Sequence, residues 1–361
     1  MSDAVLCLLG ATGYTGRLCA AEAARQGLRV RLAGRRRDLL ERLAAELGTG
    51  DVAAADVNDP AGVAALAHSS DVLLSTVGPY LRLGRPVVEA ALAGGCHYVD
   101  ISAEVPFLRW VRAQQERAAA AGVALCPGSG FDGAAGDLLA AAAARDFGGD
   151  VRSARAAYLV RRARVSAGTL RSALGLAAHG GAAWRDGAFV DEPVAAHHWW
   201  VPFPPPLGAR GAVSVPVPEA VTLGPSTGAA TARGYLVLPA AQLAVLASAP
   251  LDVAGRLVAG TPLWTLLERA ADRLPQGPAP TVRAATRAAV LAEVRGPTGG
   301  GRAWARLRDP YAAPARMAVG LARRLLAAGP PRAGALTPSQ VVAAEPSGAL
   351  LDEVGADWSL L

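Results

Sequence analysis

The feature that most constrains the fold of this chain is a short run near its start, Gly10-Ala11-Thr12-Gly13-Tyr14-Thr15-Gly16. It follows the apolar run Ala4–Leu9 and opens a helical stretch, about Tyr14–Gln26. Glycines at three-residue spacing let the backbone turn tightly at a strand end. The helix start that follows offers free N–H groups and a positive partial charge, which suit a pyrophosphate. The Thr12 and Thr15 hydroxyls are further donors. A glycine turn without a ligand is the competing reading. The position between the first strand and first helix of an alternating pattern favours dinucleotide binding.

That alternation continues through the first 135 residues. Short apolar runs at Arg29–Ala33, Asp71–Val77, Tyr98–Ile101 and Val123–Cys126 alternate with helical stretches at about Arg37–Leu47, Pro86–Ala93 and Pro106–Ala121. Strand–helix alternation with continuously apolar strands predicts an α/β fold, a doubly wound parallel sheet of the Rossmann type. After Gly136 the pattern changes. A helix over about Asp137–Arg145 leads to a strand at Ala154–Arg162, a helix at about Gly168–His179 and hairpin-like segments around Trp184–Val190. A Pro-rich loop over Pro202–Pro225 comes next, and longer strands recur at Ala232–Leu238, Thr286–Arg295 and Ala303–Arg308. This predicts a second α+β domain built on an antiparallel sheet, over residues 136–309, with one face free to line a cleft. A final helix, about Ala313–Ala327, and the segment 310–361 around it are expected to pack back onto the first domain.

The second strand ends in Ala33-Gly34-Arg35-Arg36-Arg37. A site selective for NAD places an acid here to hold the ribose 2′-hydroxyl, and none is present. Arginine suits a 2′-phosphate, so Arg35 first and Arg36 second, beside Gly34, select NADP(H). Asp56, after the third strand, is placed to bond the adenine amino group; an exposed turn acid is the alternative. The fourth strand ends in Ser75-Thr76-Val77-Gly78-Pro79-Tyr80. Thr76, Val77, Gly78 and Pro79 are expected to shape the backbone against the nicotinamide ribose, with Tyr80 close to the reacting ring.

Composition narrows the chemistry. All 36 basic residues are Arg, which removes Schiff-base and P-loop lysines and any Tyr-Lys catalytic pair. The net charge of +6, spread along the chain, gives no nucleic-acid patch. Cys7, Cys19, Cys96 and Cys126 form no C-x-x-C pair and read as buried thiols; no metal site is expected. The N-terminus lacks a basic region before its short apolar run, and the uncharged stretch between Arg233 and Asp252 is broken by Pro239 and Pro250. The expectation is a cytoplasmic protein without a transmembrane segment.

The residues Gly10–Gly16, Ala33-Gly34-Arg35, Thr76–Tyr80, Tyr98-Val99-Asp100 with Glu104, and Pro127-Gly128-Ser129-Gly130-Phe131-Asp132 occur in a fixed order. In them the chain resembles the saccharopine dehydrogenase-like oxidoreductases. It is most similar to their bacterial trans-acting enoyl reductase branch, which also shows an acid like Asp137 and a segment like Gly334-Ala335-Leu336-Thr337-Pro338. The matches are dense over residues 1–140 and sparse from 150 to 300. The resemblance implies an NADPH-binding Rossmann domain, an inserted substrate and dimerisation domain, and so a possible homodimer. It implies hydride transfer to a C=N or a polarised C=C bond, on a small molecule or an acyl group carried by a polyketide synthase partner.

Reduction of an enoyl thioester needs carbonyl polarisation and a proton donor, whereas an iminium is already electrophilic. Tyr80 is the first candidate donor. Asp100, Glu104 and Asp132 follow strand ends expected to point into the same crevice; for Asp132 a helix N-cap is the alternative. His97 reads as structural. Arg161 and Arg162 can meet a substrate anion or simply solvate the surface. The segment His197–Pro206 reads as a stiff apolar loop over a substrate, or as a packing contact. The leading reading is an NADPH-dependent enoyl reductase. The alternatives are an imine reductase and a non-catalytic NADP-binding regulator.

Overall fold

The computed structural model describes residues 4–49, 51–161, 181–238, 277–328 and 332–361, together with Thr261 and Leu266. The chain divides into two compact units. The first comprises Met1–Ser102, Pro106–Ala134 and Tyr311–Val354; the second comprises Ala103–Val105, Ala135–Pro310 and Gly355–Leu361.

The first unit is built on strands β1 (Leu6–Leu9), β2 (Val30–Gly34), β3 (Val52–Ala54), β4 (Val72–Ser75), β5 (His97–Asp100) and β6 (Ala124–Cys126). The helices between them are α1 (Tyr14–Arg25), α2 (Arg37–Leu47), α3 (Pro60–His68), α4 (Tyr80–Gly94), α5 (Val105–Arg112) and α6 (Gln115–Ala120). Strand order is β3-β2-β1-β4-β5-β6, all parallel. Strands β1 and β4 are buried at every position, which is why they read as apolar runs rather than alternating ones. The strand order reverses between β1 and β4, and the carboxyl ends of these two strands define the switch point where ligands of such sheets bind.

Two helices differ from expectation. The stretch after β4 becomes helical at Tyr80, capped by Pro79, and runs through Pro86. Tyr80, Gly84, Val87, Val88 and Ala91 bury one face at helical spacing, and that packing holds the helix across the missing amide. The expected Pro106–Ala121 helix is two helices, α5 and α6.

The second unit holds a nine-stranded sheet. Its strands are β7 (Ser153–Arg161), β8 (Gly181–Arg185), β9 (Ala188–Glu192), β10 (His198–Pro202), β11 (Ala209–Val215), β12 (Thr231–Val237), β13 (Arg287–Gly296), β14 (Gly299–Arg308) and, at the end of the chain, β16 (Asp357–Leu360). The main order is β10-β11-β12-β7-β13-β14-β16, with the β8–β9 hairpin attached to β12. The sheet is mixed, because β12 runs parallel to β7 while the other neighbours are antiparallel. A parallel pair needs a long crossover, which the chain between β7 and β12 supplies.

The expected Pro-rich loop holds regular structure: β11 and helix α8 (Glu219–Thr227) lie within it. Ala212, Val213 and Val215 are buried there; Pro216 and Pro218 lie between the two elements, and Pro225 falls inside α8. The expected helix at Gly168–His179 and Arg162 lie outside the described residues. Helix α7 (Phe131–Phe147) and α8 accompany this sheet, and helix α9 (Pro280–Ala285) leads into β13.

The C-terminal segment serves both units. Helix α10 (Ala313–Ala328) packs on α1, β4 and β5. Strand β15 (Gly334–Ala335) adds a seventh parallel strand beside β6. Helices α11 (Pro338–Val341) and α12 (Ala349–Glu353) follow, and then β16 joins the second sheet at β14. No helix among the described residues is long and apolar enough to cross a membrane.

Candidate cofactor and active site

The glycine turn joins β1 to α1. Gly10 has φ +88, the left-handed region that glycine enters without strain. A Cβ at Gly10 would lie 2.7 Å from Thr76 Oγ1 and 2.8 Å from a Val77 methyl, and one at Gly16 would lie 2.1 Å from the Gly10 carbonyl oxygen. Both glycines are therefore fixed by packing within the unit. Gly13 differs. Its backbone is extended (φ −72, ψ 168), it is exposed, and an added Cβ would meet only the Gly10 oxygen, at 3.3 Å. Gly13 caps α1 with no side chain filling the helix mouth. Space that a Cβ would enter is left open beside a helix N-terminus, and this fits the diphosphate of a dinucleotide.

Strand β4 supports that turn. The Thr76 hydroxyl donates to the Leu9 and Gly10 carbonyls at 3.1 and 3.2 Å, so Thr76 and Val77 brace the loop from beneath. Gly78 and Pro79 are exposed at the same strand end and joined by a cis peptide. Thr12, Tyr14 and Thr15 are half-buried along the turn.

At the end of β2, Gly34 is buried and Arg35 and Arg36 are exposed. Arg37 is engaged by Glu41 at 2.8 Å, whereas Arg35 and Arg36 make no ion pair among the described residues. Two uncommitted guanidiniums at the second strand end fit a 2′-phosphate. Asp56 sits on the next loop, where its Oδ1 accepts from the Asn58 amide and side chain, both at 2.9 Å. It thus forms an Asx turn, with Oδ2 as the remaining acceptor.

The four candidate acid groups have separate fates. Tyr80 is buried; its hydroxyl donates to the Ser75 carbonyl at 3.2 Å and its ring packs 5.7 Å from that of Phe107. Asp100 is also buried. Its Oδ1 accepts from the Ser102 amide (2.8 Å), the Ser102 hydroxyl (2.6 Å) and the Gly128 amide (3.0 Å), tying the end of β5 to the loop after β6. Burial pushes its carboxyl above the ordinary range, and the bonds from Ser102 and Gly128 offset part of that. Glu104 is half-buried and falls in the short Ala103–Val105 segment grouped with the second unit.

Asp132 stands apart from these. It lies where α7 is kinked, with Asp132 at ψ 118 and Gly133 at φ 109, and it caps no helix. Its side chain keeps contact with solvent and has no hydrogen bond or ion pair among the described residues. Desolvation nevertheless pushes its carboxyl up to about 6. Its neighbours Phe131, Gly133 and Ala134 are buried, and no charged partner contributes to the shift. The N-cap alternative is not met: Asp132 accepts from no backbone amide among the described residues.

Other sequence expectations resolve simply. His97 Nδ1 accepts from the Ala124 amide at 3.1 Å, and burial lowers its basicity, so the ring is a neutral link between β5 and β6. All four cysteines are buried, with the thiols of Cys7 and Cys19 pushed up to about 12 by desolvation. The segment His197–Pro206 is not a covering loop: His198–Pro202 forms β10, which buries Trp199 and Val201 and exposes Trp200. Arg161 is exposed at the end of β7. Sequence reasoning missed Ser102, which completes the Asp100 knot. Its signal was the two-residue spacing after an Asp, typical of an Asx turn.

These features define a dinucleotide-binding Rossmann unit with an open glycine cap and an arginine-bearing second strand. Residues 6–126 match the family model of the saccharopine dehydrogenase NADP binding domain. The match spans β1 to β6, about a third of the chain, and the cofactor it points to is NADP(H). A trans-acting enoyl reductase of Mycobacterium leprae is 36% identical over 138 residues, covering 36% of this chain and 33% of that protein. A Mycobacterium tuberculosis relative named for the same activity is 34% identical over 178 residues, covering 46% of this chain and 42% of that protein. The chain thus matches less than half the length of these relatives. Apo saccharopine dehydrogenase (L-Glu forming) from Saccharomyces cerevisiae is similar in fold, with a TM-score of 0.61 at 15% identity over 99% of this chain and 100% of that one.

Proposed function

We propose that this protein is an NADPH-dependent reductase of a polarised C=C bond in an enoyl thioester, with Asp132 as proton donor. The bound cofactor supplies the hydride. The observation that carries the reading is Asp132, a carboxyl with no partner among the described residues, pushed up to about 6 on the segment that follows β6. Ligands of open parallel sheets lie beyond the carboxyl ends of the strands, and Asp132 follows such an end. An acid titrating near 6 holds its proton through part of the physiological range and can give it to the substrate α-carbon. Gly13 leaves room for the diphosphate, Arg35 and Arg36 take the 2′-phosphate, and Gly78 and Pro79 shape the backbone at the adjoining strand end. Asp100 works through structure, since it holds the loop that carries Asp132. Tyr80, committed to Ser75, supports the start of α4. The two mycobacterial relatives are named trans-acting enoyl reductases, which supports a separate synthase presenting the acyl group.

The test is NADPH oxidation with an α,β-unsaturated acyl thioester and, separately, with an amine and oxo acid that condense to an imine. The expected result is turnover of the thioester, with a rate that falls as pH rises through about 6. Asp132→Asn is expected to lose about 10²–10⁴ in turnover while NADPH affinity stays unchanged. Turnover of the imine alone, or an unaffected Asp132→Asn enzyme, overturns the proposal.

A further inference from the structure

The second unit contains a recess of its own, of about 390 Å³, lined by Ser153, Arg155, Thr231, Arg233, Tyr235 and Arg295. Cross-strand register creates it. Arg233, Arg155, Glu293 and Arg302 stand side by side across β12, β7, β13 and β14. Thr231, Ser153 and Arg295 form the adjoining row. Strand pleating turns both rows to the same face of the sheet.

The carboxylates of this cluster lie behind the lining. Glu293 is only 2% exposed and is held by Arg155 (2.6 Å), Arg295 (2.7 Å) and Arg302 (2.6 Å). Glu192 takes Arg233 at 2.9 Å. Four guanidiniums therefore face two carboxylates, and two positive charges remain uncompensated within the cluster. Arg155 gives Nε and Nη2 to Glu293, and Arg233 gives Nε and Nη2 to Glu192. The Nη1 group of each is left for another acceptor. The guanidinium of Arg155 is further pinned over the Trp199 ring at 4.0 Å. Among the described residues, every polar side chain on the lining carries an N–H or O–H, and none is a carboxylate.

We propose that this recess binds the phosphate group of a second ligand, independently of the cofactor in the first unit. Preorganised arginines on a rigid sheet with two flanking hydroxyls match an anion with three or more acceptor oxygens better than a two-oxygen carboxylate. The inference goes beyond the reductase reading and stands without it.

The test uses the full chain saturated with NADP⁺, so that the first unit is filled. Inorganic phosphate, phenyl phosphate and glutarate are each titrated calorimetrically. Phosphate or phenyl phosphate is expected to bind, glutarate more weakly than either. Tighter phenyl phosphate would mark an ester-bearing ligand, and tighter inorganic phosphate a free anion. Arg295→Gln is expected to weaken binding about tenfold, and it leaves Glu293 paired with Arg155 and Arg302. The Ser153→Ala/Thr231→Val pair changes no charge and is expected to weaken binding about threefold or more. NADP⁺ affinity should stay unchanged in both. Absence of binding by either phosphate probe at about 10 mM, equal affinities in all variants, or tighter binding of glutarate overturns the proposal.

Discussion

Glu293→Gln is expected to cost the second unit about 3 kcal/mol at neutral pH, and the charge ladder shows why. Burial alone would raise the Glu293 pKa, but hydrogen bonds from Arg295 and Arg302 and the charge of Arg155 outweigh it, and the carboxyl falls from an ordinary 4.5 to about 2. Glu293 is 2% exposed, so little solvent screening discounts this shift. About 2.5 pKa units at about 1.4 kcal/mol each gives roughly 3 kcal/mol of native-state stabilisation. A depressed carboxylate contributes fully above its unfolded value and loses that contribution as pH falls through its folded value. The difference between the parent and Glu293→Gln should therefore stand at about 3 kcal/mol at pH 7, shrink to about 1 kcal/mol at pH 3, and vanish below pH 2. Urea denaturation followed by tryptophan fluorescence reads mainly this unit, whose range holds six of the seven tryptophans, all but Trp110. A difference under about 0.5 kcal/mol at pH 7, or one that persists undiminished at pH 3, would refute the reasoning.

The two glycines of the turn should separate structure from binding. Gly16→Ala drives a Cβ to 2.1 Å from a backbone oxygen and should destabilise the first unit by about 1–3 kcal/mol in thermal melts. Gly13→Val should melt within about 1 kcal/mol of the parent yet lose NADPH binding by calorimetry, because its branched side chain fills the open helix mouth. Tyr80→Phe removes the bond to Ser75 and should lower stability by about 1 kcal/mol, with NADPH turnover changed less than about threefold.

How much of this was legible in the sequence depends on how local each feature is. The glycine turn, the strand-end arginines and the parallel order all arise within single strand–helix units, where periodicity and spacing carry the information. Strand β15 could not be read that way, since two residues have no period and their place is set by pairing with β6. Asp132 was singled out for its position after a strand, but the kink beside it at Gly133 is a feature that periodicity does not signal. Tyr80 illustrates the reverse: it follows β4 as the sequence suggests, but its hydroxyl donates to a carbonyl five residues earlier. The arginine recess was invisible because Arg155 and Glu293 are 138 residues apart and meet only through strand register.

The central claim is that the turn at Gly13 and the arginines after β2 bind a 2′-phosphorylated dinucleotide, and calorimetric titration of NADPH and NADH tests it most directly. NADPH should bind at least about tenfold tighter, and Arg35→Asp should weaken NADPH by about 1.5–3 kcal/mol while leaving NADH little changed. Equal affinities for the two cofactors, or an Arg35→Asp variant that still prefers NADPH to the same degree, would contradict it.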